Sequence, residues 1–319
     1  MILWFAAAAL AAAVVALTLN ARRYVRWAES KWPPQGRFIE AQGARLHIRE
    51  TGSEAASPVL LIHGASSNHL ELWGPLADAV SLSHRVIAYD RPGLGHSTRP
   101  AREAHKLAAQ AHYAARVLDE TGAESAIVVG HSLGAAVALR LALDHPRRVR
   151  GLVLLAPACN PYPGKPAWWA RLSATPLLGD LFCGLVAPWL APLMAHASVA
   201  NNFWPAATPV SYAEESGLGL VFRPRAFKAN AKDVCATKAE FTAQAPRYGD
   251  LFTPAVIVTA EKDKIVSPKR HARALAAVLP AAELVIAPDT GHMPHRLRTD
   301  LVTAAIRRVN EMASVAAEA

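Results

Sequence analysis

The chain has 319 residues, 52% of them hydrophobic and 18% charged, with three cysteines, Cys159, Cys183 and Cys235. This is too apolar for a disordered chain and long enough for one α/β domain with an insertion. The 34 Lys and Arg against 25 Asp and Glu give a formal +9, but the basic residues are scattered and no helix-turn-helix, RNA-recognition or zinc-finger pattern occurs, so no nucleic-acid partner is expected. The cysteines lack metal-ligand or C-x-x-C spacing and read as packed thiols, so neither a metal nor a cofactor is expected.

Ile2 to Leu19 is an uninterrupted apolar run without a charge. As a helix its length is about 27 Å, enough for a bilayer core. A cleaved signal peptide and a peripheral hydrophobic helix are the competing readings. A signal peptide carries basic residues ahead of its apolar stretch; here only Met1 precedes it, and Arg22, Arg23, Arg26 and Lys31 follow it. The positive-inside rule keeps that basic flank in the cytoplasm. The expectation is a single-pass inner-membrane anchor over residues 1–20 with the globular part cytoplasmic. Tyr24, Trp27 and Trp32 suit an interfacial belt. Residues 21–36 read as a basic juxtamembrane linker ending in the breaker cluster Pro33-Pro34-Gln35-Gly36.

Two short alternating pieces, Arg37 to Ala41 and Arg45 to Glu50, read as an antiparallel hairpin at a sheet edge. Apolar strands then alternate with helical stretches, the pattern of a parallel sheet covered on both faces. The strands expected are Val59 to His63, Arg85 to Tyr89, Ala126 to Val129, Leu152 to Leu155, Ala255 to Thr259 and Leu284 to Ile286. Helices are expected at Leu70 to Val80, His105 to Thr121, Leu133 to His145, Pro268 to Val278 and Pro294 to Val315. The rhythm stops over residues 158–248, a stretch too long and apolar for a loop. It reads as a helical cap over the carboxyl ends of the strands, inserted between core segments 37–157 and 249–316. Its Trp168, Trp169, Trp189 and Trp204 are expected mainly in the cap's core, and an apolar cap favours an apolar substrate portion.

The chemistry centres on Gly130-His131-Ser132-Leu133-Gly134, between an apolar strand and an Ala-rich helix. A serine at such a turn projects its Oγ into solvent, with the positive end of the helix behind it. Serine needs a base. His292, in Asp289-Thr290-Gly291-His292-Met293-Pro294, follows a strand and precedes the last helix, so its loop can reach the carboxyl edge of the sheet; His295 is its competitor. Asp263 is the expected acid and Glu261 the alternative, both just past the strand Ala255 to Thr259. The chain order of nucleophile, acid and base is that of the α/β-hydrolase topology. Two backbone N–H groups should form an oxyanion hole, from Leu133 and from Ala65 in the loop His63-Gly64-Ala65-Ser66. His63, at a strand end beside a glycine, suits a structural hydrogen bond.

With Asp90-Arg-Pro-Gly-Leu-Gly-His-Ser97 and Glu261-Lys-Asp263-Lys-Ile-Val266, these motifs stand in the order and spacing of the α/β-hydrolase fold family, which the chain resembles over about residues 37 to 312. The resemblance implies a mostly parallel doubly wound sheet, with Ser132 as nucleophile, Asp263 as acid, His292 as base and Ala65 with Leu133 as oxyanion donors. In that family the Gly93-Leu-Gly95 segment is a structural turn; as a dinucleotide site it would lack its third glycine. The expected activity is cleavage of a carboxylic ester with an apolar acyl or alcohol part, the substrate being a small ester or lipid-like molecule. A C–C bond hydrolase acting on a vinylogous diketone would use the same triad, and a hydrolase-like membrane accessory protein would need none of it.

Overall fold

The apolar runs become strands because each can bury both faces. In the computed structural model, which describes residues 1–100 and 103–318, the first element is the helix α1, Ile2–Lys31. The hairpin strands β1, Arg37–Ala41, and β2, Ala44–Thr51, pair antiparallel. There follow β3, Pro58–Ile62, α2, Pro75–Ser81, β4, Arg85–Tyr89, α3, Leu107–Glu120, β5, Ala126–His131, α4, Leu133–Asp144, and β6, Val149–Leu155. Between β6 and the next strand lie α5, Trp168–Ala174, α6, Leu178–Leu181, α7, Ala187–Phe203, α8, Tyr212–Glu215, and α9, Pro224–Gln244. The chain closes with β7, Ala255–Thr259, α10, Ala274–Ala276, β8, Ala282–Ile286, α11, Pro294–Leu297, and α12, Thr299–Glu318.

The eight strands form one sheet in the order β1-β2-β4-β3-β5-β6-β7-β8. β2 is antiparallel to both neighbours and every later pairing is parallel. Helices α3 and α4 bury Leu107, Ala114, Leu118, Val137 and Leu141 against Leu60, Ile87 and Val128 on one face. On the other, α2 and α12 bury Leu76, Val80, Val302, Ile306 and Val309 against Val59, Val129 and Val153. Covering both faces is what makes all-apolar parallel strands stable.

Three expected helices are shorter or broken. Gly74, at φ 66°, and Pro75 split the first into a 3-10 turn at His69–Glu71 and α2. The stretch after Pro268 opens with the π-helical turn Lys269–Arg273. Arg298, at φ −135°, separates α11 from α12. The larger difference is at the N-terminus: the helix does not stop at the basic flank but runs through it to Lys31, with Ala21 and Ala28 buried. Most of the expected linker is therefore helix, packed against the α5–α9 segment. The tryptophans of that segment also differ from expectation. Trp169 packs against Phe227 at 5.2 Å between ring centroids, whereas Trp168, Trp189 and Trp204 are each 41% or more exposed, Trp168 touching Phe182 only edge-on.

Candidate active site

Ser132 stands between β5 and α4 with φ 53° and ψ −117°. A non-glycine residue in such a conformation is strained, and it persists because its surroundings fix it. Its N–H donates to the Leu155 carbonyl at 2.9 Å, and its own carbonyl accepts from Ala135 and Ala158. Gly134 lets α4 come this close: a Cβ there would lie 2.1 Å from the Ile62 carbonyl oxygen of β3.

The loops after β7 and β8 bring Asp263 and His292 together, His292 Nδ1 lying 2.8 Å from Asp263 Oδ2. The other carboxylate oxygen of Asp263 accepts from the N–H groups of Ile265 and Val266 at 2.7 and 2.9 Å. Burial alone would raise the Asp263 carboxyl, but the His292 imidazole and these donors hold it below its ordinary value. With Nδ1 committed to the carboxylate, Nε2 is the ring nitrogen left to face a nucleophile. The expected alternative acid, Glu261, is exposed and pairs with Arg273. The expected competitor base, His295, is buried against Glu71 and His131.

The loop after β3 passes directly beside Ser132, since a Cβ on Gly64 would lie 3.2 Å from that of Ser132. Arg91 orients it. This fully buried guanidinium donates to the carbonyls of His63 at 3.0 Å and Gly64 at 2.8 Å, and is neutralised by Asp233 at 2.9 Å. In a trans peptide the N–H points opposite to the C=O, so binding the Gly64 carbonyl turns the Ala65 N–H away from Arg91. Asn230 of α9 holds the next residue, accepting from the Ser66 N–H at 2.6 Å and donating to the Ser66 hydroxyl at 2.8 Å. Neither the Ala65 nor the Leu133 N–H has a protein acceptor among the described residues. The second lies at the first turn of α4, where helix N–H groups are unsatisfied. His63 makes the structural bond expected of it, accepting from the Arg91 N–H at 3.0 Å.

Beneath the site lies a buried group that sequence reasoning missed. Glu71, 2% exposed, has one carboxylate oxygen 2.6 Å from His131 Nδ1 and 3.2 Å from His295 Nε2, and the other accepts from the Ser67 hydroxyl at 2.5 Å. His131 Nε2 in turn donates to the His292 carbonyl at 2.9 Å. The signal available was the single carboxylate in the apolar run Leu70-Glu71-Leu72-Trp73. Among the described residues two clusters gather ligand-type atoms within 4.8 Å, this one and His47, His69 and Asp90. The 2.6 Å separation of Glu71 from His131 is that of an ion pair, since the ligand atoms of one zinc sit roughly 3 Å apart. In the other cluster the Asp90 carboxylate already faces both rings and accepts from the N–H groups of His69 and His96. A cleft of about 1020 Å³ lies away from Ser132, between α1 and α9, lined among others by Glu29, Arg99, Arg223 and Lys232.

Three buried histidines are held neutral. Burial, with Arg91 beside it, lowers His63 to about 3; burial and Arg270 lower His271 to about 4; burial and the cationic His131 lower His295 to about 4. The unfolded chain takes up these protons near pH 6.5 and the folded chain does not, so the contribution of these three groups to stability is full above 6.5 and falls as the pH drops toward 4 to 3. Thermal melts at pH 7, 6 and 5 should show a steadily falling Tm, and a flat profile would mean that the folded protein accepts these protons.

A family profile for the α/β hydrolase fold matches residues 57–298. Two 2-hydroxymuconate semialdehyde hydrolases are similar to the chain. That of Pseudomonas sp. (strain CF600) is 35% identical over 182 residues, 54% of this chain and 64% of that protein. That of Pseudomonas putida is 30% identical over 272 residues, 82% of this chain and 88% of that protein. Among solved structures, the enol-lactonase from Burkholderia xenovorans LB400 superposes with a TM-score of 0.72 at 20% identity, covering 86% of this chain and all of that one. The chain belongs to the α/β hydrolase fold family. It is an enzyme, and its chemistry is hydrolysis.

Proposed function

We propose that the protein is a membrane-tethered serine hydrolase that cleaves carboxylic esters with an apolar acyl or alcohol part. The observation that carries this reading is the strained Ser132 at the head of α4, combined with an imidazole whose far nitrogen is fixed 2.8 Å from a buried carboxylate. In the proposed reaction the Ser132 Oγ attacks the ester carbonyl and passes its proton to His292 Nε2. The C=O π electrons move onto oxygen, where the N–H groups of Ala65 and Leu133 receive the oxyanion. Collapse expels the alcohol, which takes the proton from His292. Water then attacks the acyl-enzyme with His292 again as base, releasing the acid and restoring Ser132. Asp263 stays ionised, fixing the imidazole tautomer and stabilising the imidazolium.

Asp263→Asn is expected to lower kcat for p-nitrophenyl esters by about 10⁴-fold with the fold intact. A loss below tenfold would remove Asp263 from the role. The tether reading rests on the exposed apolar half of α1, whose most apolar window has a mean hydropathy of 2.4 and no buried residue. A second substrate class is favoured by the two similar 2-hydroxymuconate semialdehyde hydrolases: C–C bond hydrolysis of a vinylogous diketone. The experiment is one panel containing short and medium p-nitrophenyl esters and a dienol vinylogous diketone. Ester turnover exceeding diketone turnover supports the first reading, and the reverse ranking replaces it with the second.

A further inference from the structure

Helix α7 is apolar on both sides. Its inner face, Ala187, Ala191 and Ala195, packs with Tyr24 of α1 and with Val221, Phe222 and Phe227. Its outer face, continued back through the preceding turn, presents Val186, Trp189, Leu193 and Met194 to the outside, Leu193 at 80% exposure, and Leu177, Leu178 and Leu181 extend the apolar surface. From Leu181 to Trp204 there is no Asp, Glu, Lys or Arg. The helical stretch Leu178–Phe203 has a mean hydropathy of 1.5 in its most apolar window, of which only 22% is buried. A helix hydrophobic all round is ordinarily covered, and an apolar surface this continuous marks an interaction site.

The position of this surface relative to α1 says what covers it. The N-terminal half of α1 is apolar and bare, while its C-terminal half is pinned to the cap. The Tyr24 hydroxyl donates to the Gly219 carbonyl at 3.0 Å, Trp32 Nε1 donates to the Glu214 carbonyl at 2.7 Å, and Glu29 pairs with Arg223 at 2.6 Å. Gly219 lets the Trp32 ring in, since a Cβ there would lie 2.4 Å from it. The helix is continuous from Ile2 to Lys31, so nothing between the apolar half and these pins can act as a flexible spacer. From Leu19 to Tyr24 the rise is about 7.5 Å. If α1 enters a bilayer, the cap must therefore sit on its surface, within the interfacial zone. Arg22, Arg23 and Arg26 are exposed at this level, where they favour anionic headgroups.

We propose that the outer face of α7, with Leu177, Leu178 and Leu181, is seated in the lipid leaflet at the C-terminal end of the α1 span, giving the enzyme a second, interfacial membrane contact. This rests on reading α1 as a membrane helix. An amphipathic surface lying flat in the interface buries its apolar side in the acyl boundary, and here the covered surface belongs to the same segment whose Asn230 side chain holds Ser66 and whose Asn202 carbonyl accepts from the His292 N–H at 2.8 Å.

The test uses the full chain in phosphatidylcholine vesicles containing phosphatidylglycerol. Cys159 and Cys183 are buried, so a Cys235→Ser background leaves single sites for an environment-sensitive fluorophore at Leu193→Cys, Leu10→Cys and Leu82→Cys. The expected result is loss of emission at Leu193 with nitroxide carried high on the acyl chain, loss at Leu10 with nitroxide carried deep, and no change at Leu82. Quenching at Leu10 with none at Leu193 overturns the second contact and leaves the anchor standing. No quenching at Leu10 overturns the anchor itself. A blue-shifted but unquenched Leu193 probe would show a protein surface there, such as a second copy of the chain, and would also overturn the proposal.

Discussion

Ser132→Ala is expected to reduce ester turnover by about 10⁶-fold and to abolish labelling by a fluorophosphonate probe, while far-UV circular dichroism and Tm stay close to the wild type. The size of the loss follows from the division of labour at the site. On the proposed mechanism Asp263 and His292 serve to make the Ser132 oxygen nucleophilic, so without that oxygen their alignment has nothing to act on, and removing the nucleophile costs about as much as removing all three groups and more than removing the acid alone. The residual rate over water would come from the oxyanion donors and substrate binding. Small effects on the fold are expected because Ser132 makes its described bonds through the backbone, and alanine preserves them. The strained φ of 53° is disfavoured for alanine and serine alike. Labelling that survives the substitution would show that another residue is the nucleophile, since the probe reacts only with an activated hydroxyl.

Glu71→Gln is expected to lower stability by about 3–5 kcal/mol and, separately, to lower kcat by roughly 10²-fold with little change in KM. Burial alone would push the Glu71 carboxyl up, but His131 and His295 outweigh it and hold it well below its ordinary 4.5. Burial alone would push His131 down, but the Glu71 carboxylate outweighs that and raises it above 6.5. The pair is thus an ion pair in the dark, and removing its anion leaves a cation with no partner of equal strength. The catalytic effect is indirect. Glu71 lies beneath Ser132 and fixes the ring of His131, which donates to the carbonyl of His292 at 2.9 Å.

The pH dependence separates this pair from an ordinary core contact. The Glu71 contribution is present above 4.5 and is lost as the pH falls through its depressed value. The His131 contribution is full below 6.5 and is lost as the pH rises through its elevated value. The stability gap between wild type and Glu71→Gln should therefore be widest between about pH 4.5 and 6.5 and should narrow on the alkaline side, as measured by denaturant unfolding across that range. A gap independent of pH would mean that the two groups are neutral in the folded protein.

What could be read in advance was whatever the local chain dictates. The strands announce themselves because five-residue apolar runs bounded by turns have few other uses, and β3, β4 and β7 fall within a residue of where the pattern puts them. Ser132, Asp263 and His292 can be located because each follows a strand, so the topology delivers all three to one edge of the sheet. The supports of the site were not legible for the opposite reason. Arg91 meets Asp233, Ser66 meets Asn230 and His131 meets the His292 backbone across separations of 142, 164 and 161 residues, and no periodicity encodes such partners. Helix ends were misjudged where Gly74 and Arg298 leave helical geometry inside otherwise helical composition. The tryptophans misled because apolar composition says that a side chain prefers cover without saying what provides it.

The pinning of α1 also bears on where the chain can be shortened. The breaker cluster at Pro33 looks like the natural place to cut, yet a chain begun there would lack Tyr24, Glu29 and Trp32. The Leu218–Phe222 turn would then lose the surface that covers it, and Arg223 the carboxylate it faces. A chain begun at Asn20 sheds the bare apolar half of the helix and keeps the half that packs against the α5–α9 segment.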